Sequence, residues 1–397
     1  MLAFLTLVAG CDSVAVPFDP AANGDDGDDI AAPTGSADWT VDCNGGGDFD
    51  EIGDAITAAA DGDWIIVEDC EYTERLNYNG KSLYIQSRNG SGSTTINAAS
   101  GGYAVQVSNG ETSETALVGF TISNARGAAV YAELASIHLE DIVFTDTTGE
   151  YVIYGYGADL EVKDSVFTNN AETTAVIATS RGGVDMSGST VECGRSSIAF
   201  YWAHGAGMVD NSTVDCGRGY AGYFEHTTGH IMRSVLTGNI YSENEDDHPE
   251  DSFDLYNTVL TGSYSAVYGS FAFKHVIVDG GRVDYTNNVE YPGVNEVYNS
   301  VLMNSNCAFN VDLTTLTVAN SAFWDTAESC EGTALVGQNG NIGNDPQFVD
   351  ANSGDYHLDR GSPLIDAGDS AVLGADVDGS DADIGIYGGP FTQDGGW

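Results

Sequence analysis

Gly119-Phe120-Thr121-Ile122-Ser123-Asn124 returns as Asp141-Ile142-Val143-Phe144-Thr145-Asp146 and again as Asp164-Ser165-Val166-Phe167-Thr168-Asn169. The phrase continues less strictly as Asn211-Ser212-Thr213-Val214-Asp215-Cys216, Asn257-Thr258-Val259-Leu260-Thr261-Gly262, Asn299-Ser300-Val301-Leu302-Met303-Asn304 and Asn320-Ser321-Ala322-Phe323-Trp324-Asp325. Its fourth position is apolar throughout: Ile122, Phe144, Phe167, Val191, Val214, Leu236, Leu260, Ile277, Leu302 and Phe323. The steps between these positions run from 21 to 25 residues, with one step of 17 before Ile277. Within each phrase the alternation has period two and β-branched residues dominate, the signature of a strand. A strand phrase at this period is one coil of a β-solenoid.

Two residues beyond each apolar position stands Asn124, Asp146, Asn169, Cys193, Cys216, Gly238, Gly262, Asp279, Asn304 or Asp325. Asn, Asp and Gly tolerate a left-handed backbone and close tight turns, so this column predicts a stacked corner. Neighbouring strands lie about 4.8 Å apart, inside the Cα separation a disulfide needs. Cys193 and Cys216 are therefore expected to bridge two coils at the corner, contributing on the order of 3 kcal/mol. Cys307 and Cys330 have the same spacing of 23 residues, and Cys43 and Cys70 are 27 apart. The absence of CxxC spacing speaks against zinc, and disulfides of an oxidising compartment are favoured over free buried thiols.

The first coil needs a cover, because an open strand edge invites pairing. Asp48-Phe49-Asp50-Glu51 reads as a helix start, with Phe49, Ile52, Ile56 and Ala59 at helical spacing, and predicts a plug over residues 48–60. Asp61-Gly62-Asp63 then turns into the strand Trp64-Ile65-Ile66-Val67. With Tyr72, Glu74 and Gly80-Lys81, residues 49–97 resemble the start of pectate-lyase-like and pectin-methylesterase-like β-helices. Asp345-Pro346-Gln347-Phe348, Gly354-Asp355-Tyr356-His357-Leu358 and Gly361-Ser362-Pro363-Leu364-Ile365-Asp366-Ala367-Gly368 resemble the C-terminal cap of bacterial surface β-helix proteins. The resemblance implies an all-β, right-handed parallel β-helix of about ten or more coils, with a short N-terminal capping helix and an irregular C-terminal cap. It implies no catalytic residues, because the motifs of pectin methylesterases, polygalacturonases and pectate lyases are missing.

The chain of 397 residues carries 60 acidic against 12 basic residues, a formal charge of -48. Such a field repels nucleic acid and anionic membrane surfaces. Met1-Leu2-Ala3-Phe4-Leu5-Thr6-Leu7-Val8-Ala9-Gly10-Cys11 resembles a bacterial lipoprotein signal, which implies a lipid on Cys11. Export and attachment at the bacterial cell surface or outer membrane, by the lipid alone, are the expectation. The organisation expected is a signal and lipobox at 1–11, a disordered acidic tether at 12–38, an N-terminal cap at 39–60, the β-helix at 61–335 and a C-terminal cap at 336–397.

One patch stands above the acidic background. His204, His226 and His248 follow at steps of 22, with His230 close by, and Tyr201-Trp202 aligns with Tyr223-Phe224. Glu225 and Glu245 belong to the same neighbourhood. Rings beside carboxylates and imidazoles suit a sugar-binding face, and the same groups suit metal ligation. Ordinary stacking within a repeat is the third reading. Alternation sets Tyr201, Tyr223 and Glu225 on one face and Trp202, Phe224, His204 and His226 on the other, without saying which is outward. Asp376, Asp378, Asp381 and Asp383 surround a glycine turn and form a candidate Ca2+ staple for the C-terminal cap, though not an EF-hand. The leading expectation is a monomeric surface lipoprotein that binds a polysaccharide or cell-surface glycan or mediates adhesion. Its alternatives are a polysaccharide lyase or glycoside hydrolase on the same fold, and a structural surface spacer.

Overall fold

The structure, a computed structural model, describes residues 30–99, 101–170, 173–194, 198–244, 251–286, 293–312 and 315–390. Cys11, Glu245 and His248 lie outside the described residues, as does the leader with most of the proposed tether. The chain is a right-handed parallel β-helix of about 12 turns. One coil is the strand Ser136–Glu140, then Val143–Thr145, then Tyr151–Tyr156; the next repeats it as Asp159–Lys163, Val166–Thr168 and Ala175–Ser180. Among the described residues, first strands stack into a parallel sheet of 13, and second and third strands share a sheet of 22.

Inward residues stack in register, as the phrase requires: Ile122, Phe144, Phe167, Val191, Val214 and Leu236 pair in sequence from coil to coil. Phe144 and Phe167 stack with centroids 4.5 Å apart, an arrangement worth about 1 kcal/mol beyond the area buried. The apparent short step resolves into a correction. Leu260 pairs with Val278, and Val278 with Leu302, so Val278 and not Ile277 belongs to the inward column. The corner residue there is Gly280, with φ of 75°, in place of Asp279. A one-residue slip turns every side chain to the opposite face. Ile277 misleads because it is apolar on the outside, where the C-terminal segment buries it.

The expected corner is left-handed at Asn124, Asp146, Asn169, Asn304 and Asp325, while Gly194 and Gly217 take that role just after Cys193 and Cys216. A second corner, between first and second strands, is left-handed at Asp141, Asp164, Gly188, Asn211, Arg233, Asn257, His275, Asn299 and Asn320, the opening residues of the repeated phrase. The serine that often follows has a specific task. Ser165, Ser189, Ser212 and Ser234 each accept a backbone N–H from the coil before, at 3.0–3.1 Å, from Ile142, Ser165, Ser189 and Ser212 respectively. Each hydroxyl donates back to the carbonyl two residues earlier. The ladder satisfies buried N–H groups where the chain leaves one sheet for the other.

At the N-terminal end the helix Ile52–Ala58 buries Ile52, Ala55 and Ile56 over the first coil. It begins later than residue 48. Phe49 is held in a parallel bridge to Val41, and the Asp48 carboxylate accepts from Thr40 rather than capping the helix. The cap comes from the next coil: Glu74 accepts from the N–H groups of Ile52 and Gly53, both at 2.8 Å. Lys81 Nζ donates to the carbonyls of Ile56, Thr57 and Ala59 at 2.7–3.0 Å. Anion at the N-terminus and cation at the C-terminus both oppose the helix dipole. Disulfides join Cys43 to Cys70, Cys193 to Cys216 and Cys307 to Cys330, with Cα separations of 6.4, 4.8 and 5.1 Å.

At the far end Asn341 and Ile342 continue the last coil, Ile342 bridging Ala322. Beyond them the chain turns back along the flank. Tyr356, Leu364, Ile384 and Ile386 cover the outward residues Val259, Ile277, Val301 and Ala322. Asn257 Nδ2 donates to the carbonyls of Ile386 and Gly388, both at 2.9 Å, and the Asp369 N–H donates to Asn299 Oδ1 at 2.8 Å. No helix among the described residues is long and apolar enough to cross a membrane.

Candidate functional site

The strand Ile198–Ala203 decides which side of the patch is outward. Phe200 and Trp202 point into the core, with Trp202 only 1% exposed, so Tyr201 points out. In the next coil Phe224 is fully buried and Tyr223 points out. Trp202 and Phe224 are therefore withdrawn as ligand-binding candidates: their rings pack on each other and on Phe253, as core side chains do. His204 and His226 leave that face because the backbone turns left-handed at each, with φ of 56° and 50°, which breaks the alternation. They stack at 4.7 Å on a third corner that also carries Leu134, Gly157, Arg181 and Tyr268. His230 does not join them. It sits on the first-strand sheet between Met208 and Asp254, and its burial lowers its pKa.

What Tyr201 and Tyr223 do join is a tyrosine ladder. Tyr131 and Tyr154 occupy the same outward register position, Ala178 follows, and then come Tyr201, Tyr223 and Tyr241. Rings stack at 4.2 Å from Tyr103 to Tyr131, 5.8 Å from Tyr131 to Tyr154, 5.7 Å from Tyr201 to Tyr223 and 4.8 Å from Tyr223 to Tyr241. Tyr151 stacks on Tyr154 at 5.2 Å, beside the same line. Tyr220, among the more exposed at 38%, stands edge-on to Tyr223 at the irregular turn after the Cys193–Cys216 bridge.

Carboxylates accompany the rings. The Tyr201 hydroxyl donates to Glu225 at 2.8 Å, Tyr241 to Glu243 at 3.0 Å, Tyr131 to Glu133 at 2.8 Å and Tyr151 to Glu150 at 3.3 Å. Burial first, and then these carboxylates, push the phenols of Tyr131 and Tyr151 up to about 12, and raise Tyr201 and Tyr241 as well. The phenols of Tyr131, Tyr151, Tyr201 and Tyr241 are therefore neutral donors at physiological pH. Of the ladder, sequence reading found Tyr201, Tyr223 and Glu225. The tyrosines at 131, 154 and 241 escaped because coil lengths vary, so their spacing is not constant; aligning the third strands from the corner would have shown them.

A second cluster lies on the outer side of the first-strand sheet. Arg233 Nε donates to Asp210 at 2.7 Å and its Nη2 closes the fork on the other oxygen. Asp254 accepts from the Tyr256 hydroxyl and the Ala272 N–H, both at 2.8 Å, and burial pushes its carboxyl up to about 6. The four aspartates of the C-terminal loop are tied to the protein's own donors instead of one centre. Asp376 accepts from the N–H groups of Asp383 and Gly389, Asp378 from Ser380, Asp383 from Asp366, and Asp381 from the Ser370 hydroxyl at 3.5 Å. Among the described residues no group of three or more His, Cys, Asp or Glu is placed to hold a metal ion.

These features define a parallel β-helix with a tyrosine–glutamate face. Among solved structures the chain is similar to pectate lyase Pel9A at 14% identity, covering 85% of this chain and 91% of that one with a TM-score of 0.48. It is also similar to pectin methylesterase from carrot, at 12% identity, 80% and 91% coverage and a TM-score of 0.26. The A-module of mannuronan C-5 epimerase AlgE4 from Azotobacter vinelandii matches at 11% identity, 74% and 94% coverage and a TM-score of 0.19. At such identities the likeness concerns the fold alone. No protein-family model matches the chain. No curated protein matches it either.

Proposed function

We propose that the chain is an exported glycan-binding protein whose β-helix presents the tyrosine ladder as its binding face. The observation that carries this reading is the register of Tyr131, Tyr154, Tyr201, Tyr223 and Tyr241 on one outward line, with Glu133, Glu225 and Glu243 two residues further along the same strands. Aromatic edges and faces contact the apolar side of a sugar ring, and fixed carboxylates accept its hydroxyls. Rigid strands hold both at coil spacing, which keeps the ordering cost of binding low. Three disulfides support an extracellular setting. In this reading a lipid on Cys11 holds the solenoid at the cell surface; mass spectrometry of the N-terminal peptide from a native membrane fraction tests that part.

A polysaccharide panel tests the function, with retention and new reducing or unsaturated ends read together. Retention without new ends is the expected result, with about tenfold weaker retention in Tyr201→Ala and Tyr223→Ala. A second reading, polysaccharide cleavage, draws on the Asp210–Arg233 pair and the raised Asp254 carboxyl near His230. New ends that vanish in Asp254→Asn would establish it in place of the first.

A further inference from the structure

We propose that the tyrosine–glutamate face takes a cationic amino-sugar polymer and turns away polyuronates; this rests on the glycan-binding reading above. Glu225 and Glu243 are direct cross-coil neighbours on the outward side of the third strands, where parallel strands lie about 4.8 Å apart. Like charges directly opposite in a sheet are destabilising. Each of the two has one oxygen engaged by a phenol, Tyr201 on Glu225 and Tyr241 on Glu243. Those phenols stabilise the carboxylates as hydrogen-bond donors but, being neutral, cancel none of their formal charge.

Among the described residues the surroundings add little positive charge. Arg218 is exposed at the disulfide corner, and Arg181 reaches the Tyr156 hydroxyl at 3.4 Å from the third corner, where His204 and His226 stack on each other. A formal charge of -48 over the chain extends the same field. An ammonium group set at sugar spacing lies between the two carboxylates while its ring lies along Tyr201, Tyr223 and Tyr241. A uronate in that position adds a third negative charge, at a cost that salt screens only in part. Charge complementarity of this kind selects the partner and speeds its arrival.

Three oligomers of one length separate the possibilities by calorimetry on the full chain: β-1,4-linked glucosamine, its fully N-acetylated form, and galacturonate. The glucosamine oligomer is expected to bind at least about tenfold tighter than the acetylated one, and to lose that advantage in high salt. Glu225→Gln with Glu243→Gln should remove the same advantage, the glucosamine oligomer losing far more affinity than the acetylated one; glutamine keeps an acceptor for each phenol, and an unchanged melting temperature checks the fold. Equal binding of the two amino-sugar oligomers, or tighter binding of galacturonate, overturns the ligand class while the glycan-binding reading stands. If none of the three binds and the polysaccharide panel is also silent, both readings fall.

Discussion

The Asn299 side-chain amide donates to Nε2 of His275 across 3.1 Å, and Nδ1 of the same ring faces the Gly385 carbonyl at 3.2 Å. With Nε2 accepting, Nδ1 carries the proton and the imidazole is neutral. The ring thereby joins two coils to the returning C-terminal segment.

Burial holds His275 down to about 4, from an ordinary value of 6.5. Between these values the unfolded chain binds the proton more readily, so the ring's contribution is complete above pH 6.5 and is lost as pH falls through about 4. The shift corresponds to roughly 3 kcal/mol. Asp254 and Asp383, both pushed up to about 6, act in the opposite sense over part of that window. The informative quantity is therefore a difference: His275→Asn, which tolerates the left-handed backbone, should lose less stability than wild type between pH 6.5 and 4. Parallel melting curves would refute the assignment.

His138 titrates the other way. The ring is 2% exposed and faces Glu140 at 3.2 Å and Glu161 at 2.8 Å. Burial pulls its pKa down, but the two glutamates outweigh it and hold the imidazolium up to about 9. Its stabilisation is complete below pH 6.5 and disappears as pH rises through about 9, on the order of a few kcal/mol in all. Glu161→Gln should shift the His138 NMR titration downward by at least about one unit and flatten the alkaline fall in melting temperature.

The serine ladder predicts a steep cost for one small deletion. Ser212→Ala removes the hydroxyl that accepts from the Ser189 N–H inside the corner. A buried donor left without its acceptor costs about 1–3 kcal/mol. Ser212→Thr should be far milder, since Thr258 at the equivalent corner makes the same bond back to the carbonyl of Tyr256. Denaturant melts of the two variants decide the matter; equal losses would point to packing instead.

Removing the ammonium that caps the plug should loosen one end only. Lys81→Met keeps the aliphatic stem but loses three charged hydrogen bonds to Ile56, Thr57 and Ala59. Exchange of amides in the helix Ile52–Ala58 should quicken by at least about tenfold, while amides of the strand Ser136–Glu140 keep their protection. A uniform increase along the whole chain would contradict this local role.

Coil length, the corner at Asn124, Asp146 and Asn169, and the bridge between Cys193 and Cys216 were legible in the sequence, because each repeats at a period set by one turn of backbone. The strand Trp64–Val67 was legible for the same local reason. The slip at Val278 was not: local pattern cannot distinguish an apolar residue buried from inside from one buried from outside. Nor was the fate of the histidines, since a single left-handed residue at His204 or His226 cancels the alternation that assigned them to a face.

The sequence by itself thus determined that the chain winds into parallel coils with turns at Asn, Asp and Gly, since period, alternation and turn chemistry are properties of neighbours along the chain. Only the tertiary structure decided that Tyr201 looks out and Trp202 in, that five tyrosines share one line, and that residues near 386 return to clasp Asn257. Those outcomes depend on where each coil ends and on contacts between segments up to 131 residues apart, which no window of sequence contains.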